Sequence, residues 1–155
     1  MILAIPVEVT GPTNFLLIAV WSKARQENPY VEGVVRAVEL YRNLFTRYRV
    51  VLAGDFNSNA IWDSNHATGL SHSALVKMLS DLGLVSSYHF FHREAHGQEK
   101  QPTSYFQWNE RRPFHIDYCF IPDEWAPRLQ RVEIGSYAEW KDCSDHRPLL
   151  VEVAG

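Results

Sequence analysis

The sequence predicts an α/β fold in which strands dominate and two helices cover one face of a sheet. Three observations carry this. Short apolar runs of strand length recur along the chain, each bounded by turn residues. Two stretches show helical spacing of apolar residues instead. No repeat, linker or low-complexity tract interrupts the 155 residues, a length that suits one domain spanning 1–155 with a sizeable core.

Leu3 to Val9 and Phe15 to Trp21 are apolar runs separated by Gly11-Pro12-Thr13-Asn14, so the chain opens on a β-hairpin. From Val31 to Phe45 the apolar residues Val31, Val34, Val35, Val38, Tyr41, Leu44 and Phe45 recur at helical spacing. Arg36, Glu39 and Arg42 take the other side, so an amphipathic helix is expected. Val50 to Ala53 is a short strand that stops at Gly54, and the polar stretch Asn57 to Gly69 reads as a loop. Ser71 caps a second helix running to Leu82, with Leu75, Met78, Leu79 and Leu82 as its buried face and Gly83 as its stop. Leu84 to His89 leads into a polar segment containing histidines. Thr103 to Trp108, His115 to Ile121, Arg131 to Ser136 and Leu149 to Val153 are the remaining strands.

Composition narrows the function classes. The formal net charge of −3 disfavours a protein that lives on duplex DNA by neutralising phosphates. Local basic patches remain, with Arg111 and Arg112 before one strand and Arg42, Arg47 and Arg49 nearer the middle. Two cysteines do not make a disulfide framework; Cys119 sits in an apolar run and Cys143 in a polar loop, which fits the reduced cytoplasm. The opening residues carry Pro6 and Glu8 and no basic start, so they read as a strand and not a signal peptide. No segment is long enough to span a membrane.

Chemistry gathers at strand ends. Asp55 and Asn57 follow the strand ending at Ala53, Asp145 and His146 precede the strand starting at Leu149, and Asp117 is a lone acid within an apolar run. Rigid strands presenting carboxylates, an amide and an imidazole at their ends are how a scaffold holds a reactive site. Each residue also has a plainer reading. Asp and Asn are common turn residues, and Asp117 is costly to bury unpaired, so it needs either an imidazole or Arg111 or Arg112. His89, His92 and His96 have helical spacing, but without a neighbouring cysteine or carboxylate pattern of zinc type they are expected on an exposed loop with no dedicated zinc site. Tyr105, Phe106, Trp108 and Trp125 are expected in the core, and Lys23 and Arg25 on a solvated loop.

Three motifs occur in order: Gly54-Asp55-Phe56-Asn57, His115-Ile116-Asp117-Tyr118 and Ser144-Asp145-His146-Arg147-Pro148-Leu149. Together they resemble the endonuclease/exonuclease/phosphatase superfamily, the DNase I-like fold of nucleases, abasic-site endonucleases, inositol polyphosphate phosphatases and sphingomyelinases. The resemblance runs from about Phe15 to the C-terminus. It implies a β-sandwich flanked by helices, four-layered α/β/β/α in the full family, and hydrolysis of a phosphate ester assisted by Mg2+ or Mn2+. It implies that Asp145 binds the metal, that His146 contacts the scissile phosphate and handles the proton, and that Asp117 orients His146. Asp55 would position or deprotonate the attacking water, and Asn57 would donate its amide to a phosphate oxygen. Ser58 and Asn59 extend the loop as candidate substrate contacts. The substrate class stays open and includes nucleic acid.

The resemblance also has gaps. Family members begin with an Asn-bearing strand and a Glu segment that supplies a metal ligand; neither Glu8 nor Glu27 stands in that context. Trp21-Ser22 occupies the region of a further Tyr or His of the family. The domain is thus expected to be shortened at its N-terminus and to bind metal weakly. Its alternatives are a catalytically impaired homologue acting as a binding or assembly module, and one part of a split enzyme. An apolar opening strand left uncovered predicts a homodimer closed on that side. Sedimentation over a wide concentration range checks this, and a strictly monomeric mass at high concentration refutes it.

Overall fold

The structure, a computed structural model, describes residues 2–23 and 30–155. Glu27 and Arg25 lie outside the described residues. The opening hairpin forms as expected, with β1 (Ile2–Val9) antiparallel to β2 (Phe15–Ser22). The expected helix over 31–45 is two pieces, α1 (Tyr30–Leu40) and the short α2 (Arg42–Phe45). The break falls at Tyr41, whose ψ of 11° departs from the helix and whose hydroxyl donates to the Ala4 carbonyl on β1. β3 (Val50–Asp55) runs two residues further than the apolar pattern, because Gly54 and Asp55 continue its pairing.

The polar stretch after β3 contains a 3-10 helix (Ala60–Asn65). α3 (His72–Asp81) is capped by Ser71, whose Oγ accepts from the Ala74 N–H. β4 (Leu84–Ser86) leads straight into α4 (Ser87–His92), an element the sequence pattern did not reveal. β5 (Ser104–Tyr105) and β6 (Pro113–Phe114) form a small hairpin. β7 (Asp117–Pro122), β8 (Leu129–Ile134), α5 (Tyr137–Trp140) and β9 (Leu149–Val153) complete the chain.

Five strands make one mixed sheet in the order β1-β2-β3-β7-β4, with β2 and β3 parallel and the other neighbours antiparallel. Side chains alternate across it with the period of two that strands impose. Leu16, Ile18, Val20, Val50, Leu52, Tyr118 and Phe120 point to one face. There they meet Val31, Val34, Val35 and Val38 of α1 and Leu75 and Leu79 of α3. The opposite residues Leu17, Val51, Ala53, Cys119 and Ile121 pack with Trp125 and with Leu129 and Val153 of a second, two-stranded sheet, β8–β9.

The result is a sandwich of helices, large sheet and small sheet. An apolar cavity of about 270 Å³ lies between the sheets, lined by Phe15, Val51, Ile121, Trp125 and Val153 among others. β1 is a sheet edge, and its Ile5 and Val7 are 52% and 45% exposed. No helix among the described residues is long and apolar enough to cross a membrane.

Candidate active site

The first motif is built around a close approach of β3 to β2. A Cβ on Gly54 would lie 2.0 Å from the Val20 carbonyl oxygen, and Gly54 has φ +138°, so only glycine fits. Phe56 is fully buried against Tyr118 and Phe120, a burial worth about 2–3 kcal/mol. It anchors the loop just after Asp55. Asn57 then turns back in a left-handed conformation, φ 47°, which Asn tolerates. Its backbone N–H donates to Asp55 Oδ1 at 2.8 Å, and its side-chain Nδ2 donates to Asp55 Oδ2 at 2.6 Å and to the Ser22 carbonyl at 2.8 Å.

The antiparallel register sets Asp55 directly opposite Asp117. Strand alternation puts both on the small-sheet face, at the end of the ladder. Asp117 is held by Thr103, whose Oγ1 accepts from the N–H groups of Ile116 and Asp117, each at 3.0 Å. The Thr103 carbonyl accepts from the Arg147 N–H at 2.7 Å, and Ser104 bridges His146. One buried threonine therefore ties the second motif to the third. Nothing in the sequence around Thr103 marked it; its role arises only from contacts between distant segments.

His146 Nδ1 lies 2.9 Å from Asp117 Oδ2 and 3.1 Å from Oδ1. Asp117 thus pairs with the imidazole and not with Arg111 or Arg112, both of which are exposed. With Nδ1 turned to the carboxylate, Nε2 is left for a substrate, and the His146 side chain is 33% exposed. Arg147 is buried, with its guanidinium 4.8 Å and 4.9 Å from the rings of Tyr105 and Tyr137. Its Nη1 donates to the carbonyls of Ser144 and His146 and so fixes the loop that carries the imidazole.

The electrostatics follow from this crowding. Burial, and next the facing Asp117 charge, push the Asp55 carboxyl up to about 6, although the Asn57 hydrogen bonds and His146 oppose this. The hydrogen bond to Asp117 raises the His146 imidazole above its ordinary value against the effect of burial; the charges of Asp117, Asp55 and Asp145 add to it. Asp55, Asp117 and His146 form a group whose ligand atoms lie within 4.8 Å of one another and could hold a metal ion.

Other sequence expectations fare differently. Asp145 is half-buried and stands outside that trio; its carbonyl accepts from the Tyr105 N–H. Ser58 and Asn59, the candidate substrate contacts, are both buried. Ser58 Oγ meets His72 Nδ1 at 2.9 Å, and Asn59 Nδ2 donates to Glu99, the His115 carbonyl and Tyr118 Oη. Phe106 and Trp108, expected in the core, are 44% and 52% exposed, whereas Trp125 is buried as expected. The expected exposed histidine loop is also overturned: His89 is 8% exposed, and its ring stacks on that of His96.

Solved structures with this architecture decide the fold. A 3′ phosphatase, NExo, from Neisseria, bound to product DNA hairpin, matches with a TM-score of 0.66 at 18% identity over 98% of this chain. The chain has the DNase I-like fold. The chain also matches the 3′-5′ exonuclease NExo from Neisseria meningitidis, with a TM-score of 0.66 at 22% identity over 91% of its length. An AP endonuclease from Archaeoglobus fulgidus matches with a TM-score of 0.65 at 18% identity over 90%. The chain spans 72%, 62% and 62% of those three proteins. No family model and no curated protein sequence matches it.

Proposed function

We propose that this chain is a divalent-metal-dependent phosphoesterase acting on nucleic acid. The observation that carries the reading is the Asp117–His146 pair set beside an Asp55 carboxylate held by Asn57. An imidazole whose Nδ1 is fixed by a carboxylate presents Nε2 in one tautomer, ready to donate to or take a proton from a phosphoryl or leaving oxygen. Asp55, with its carboxyl at about 6, can accept the proton of an attacking water near neutral pH. The Asn57 amide is engaged by Asp55 and Ser22, so a substrate oxygen that takes it as donor displaces one of these acceptors.

The donor set suits a hard cation. Two carboxylates face each other at Asp55 and Asp117, and a positive partner would relieve their repulsion. Asp145, whose charge reaches His146, is the residue proposed to hold Mg2+ or Mn2+, with Asp55 kept for the attacking water and Asp117 for His146. Such an ion polarises the phosphoryl oxygens when bound.

Nucleic acid is favoured over other phosphate esters by the β5–β6 hairpin, which starts beside His146 through the Ser104 bridge. Its tip carries exposed Phe106 and Trp108, with the Arg112 guanidinium 4.3 Å over the Phe106 ring. Gln107 and Trp108 both take left-handed backbone there, φ 54° and 62°, a conformation that holds the rings outward at a cost. Aromatic rings beside arginine are a stacking surface for bases. The proposed relatives by fold include a phosphatase with a DNA product. The free thiols Cys119 and Cys143 suit the reducing cytoplasm proposed as its location.

The test is direct. Purified protein is incubated with 3′-phosphorylated and unmodified DNA oligonucleotides and with an inositol phosphate, each with Mg2+, Mn2+ or chelator. Metal-dependent release of phosphate or nucleotide from DNA, lost in His146→Ala, is expected. Turnover of the inositol phosphate alone would overturn the nucleic-acid reading. DNA binding with no turnover above the His146→Ala control would favour the non-catalytic binding module.

A further inference from the structure

The interior behind the catalytic loop concentrates imidazoles. His72, His89 and His115 are buried, and His96 packs against the first two. The Glu99 side chain, 4% exposed, reaches into the same region and lies 2.9 Å from His89 Nε2. None of these groups takes part in the hydrolysis proposed above. One ligand atom each from His89, His96 and Glu99 lies within 4.8 Å of the other two. We propose that these three residues form a second metal site, separate from the Asp55–Asp117–His146 group, that takes a late first-row divalent ion, zinc foremost.

Two imidazoles and a carboxylate are a zinc donor set with one position left open. Magnesium, which prefers oxygen ligands and keeps its waters, is a poor match. Ligands must be deprotonated to bind. Burial holds His96 down at about 3, helped by its histidine neighbours. Burial alone would raise Glu99, but hydrogen bonds from His89, the Gly97 N–H and Asn59 outweigh it and hold the carboxyl at about 2.

Each ligand is also held at its far atom, which is what fixes metal ligands in place. His89 Nδ1 meets Ser86 Oγ at 2.7 Å. Glu99 Oε2 accepts from Asn59 Nδ2 at 3.1 Å. His96 Nδ1 lies 3.2 Å from His72 Nε2, and His72 is itself fixed by Ser58. The side chains of Ser58 and Asn59 thus brace this cluster instead of a substrate. A cavity of about 470 Å³, lined by Ser86, His89, His96, Phe120 and Asp123 among others, gives an ion a route in and space for a water. The His89 and His96 rings stack 3.5 Å apart at 14°, and His96 is the less buried of the two, so it is the ring that adjusts about its His72 contact when an ion enters.

Zinc is titrated calorimetrically into metal-free Asp55→Asn/Asp117→Asn protein, in which the first group is disabled. One equivalent is expected to bind with a Kd of about 1 μM or tighter, and Mg2+ is expected not to compete. In the same background His96→Gln and Glu99→Gln are each expected to weaken binding by about 100-fold or more. Circular dichroism confirms that each variant folds. Cobalt(II) supplies a readout that needs no ligand substitution: visible d–d bands of four-coordinate nitrogen and oxygen ligation are expected on one equivalent. No zinc uptake at about 100 μM, cobalt bands of six-coordinate oxygen type, or binding indifferent to both Gln substitutions would each overturn the site.

Discussion

Asp117→Asn protein is expected to hydrolyse its phosphate ester about 10⁴-fold more slowly than the parent while keeping its fold, the loss known when the acid of a His–Asp pair is made neutral. Asp117 accepts from His146 Nδ1 through both oxygens. An Asn amide can offer N–H there, and the imidazole then carries its proton on Nε2, the wrong side for taking one from substrate or water. The substitution also removes the first cause of the raised His146 pKa and the second cause of the raised Asp55 pKa. Both values fall, so the pH–rate profile moves to lower pH along with the loss in rate. The Asp117 backbone bond to Thr103 is untouched, which is why the fold survives. Rates from pH 5 to 9 and the His146 imidazole shifts by NMR check this. Activity within about tenfold of the parent would mean that the pair is not used.

The buried histidines lead to the second large effect, on stability. Burial pushes His72 down to about 4 in the fold from 6.5, and His96 down to about 3. The groups facing His72 are Asp63 and Glu99, which favour its charge, and His89 and His115, which oppose it. A histidine with a depressed folded pKa leaves the unfolded chain binding more protons. Its contribution is complete above pH 6.5 and is lost as pH falls through the folded value.

For His72, 1% exposed, the shift corresponds to about 3 kcal/mol between pH 7 and pH 4 in metal-free protein. Asp55 works the other way, since its raised carboxyl makes the fold bind protons more tightly below pH 6. The clean measurement is therefore a difference. His72→Gln, which keeps a partner for Ser58, is expected to gain on the parent by about 3 kcal/mol over that range in urea titrations. Parallel stability curves for the two proteins from pH 7 to 4 would refute it.

The sequence was legible where local pattern and local geometry coincide. Gly54-Asp55-Phe56-Asn57 could be read because each residue acts on its immediate surroundings: a glycine for close approach, a buried ring, an Asn turning back on its own Asp. The Asp117–His146 pair was legible only through the resemblance, since 29 residues separate the partners. The histidine interior was missed because its members come from α3, α4, the loop beyond and the link between β6 and β7, and polar residues with Gly97 between them look like an exposed loop. The burial of Ser58 and Asn59 was hidden for the same reason. Their partners, His72 and Glu99, lie 14 and 40 residues away. The exposed Phe106 and Trp108 defeat a different rule, that aromatics seek the core, through left-handed backbone that composition does not reveal.

The register that faces Asp55 with Asp117 also bears on how the chain folds. The β3–β7 ladder has the rungs Leu52 with Phe120, Ala53 with Cys119, Gly54 with Tyr118 and, at its end, the two acids. Like charges directly opposite each other destabilise a strand pair. The apolar rungs can zip first, and the acid rung closes against repulsion. β3 and β7 are more than sixty residues apart in sequence, so this closure is also a long-range step of the slow kind. The reactive corner is thus a point of frustration in the folding landscape. Its neighbours hold it shut, and a cation that settled between the two acids would hasten the last rung.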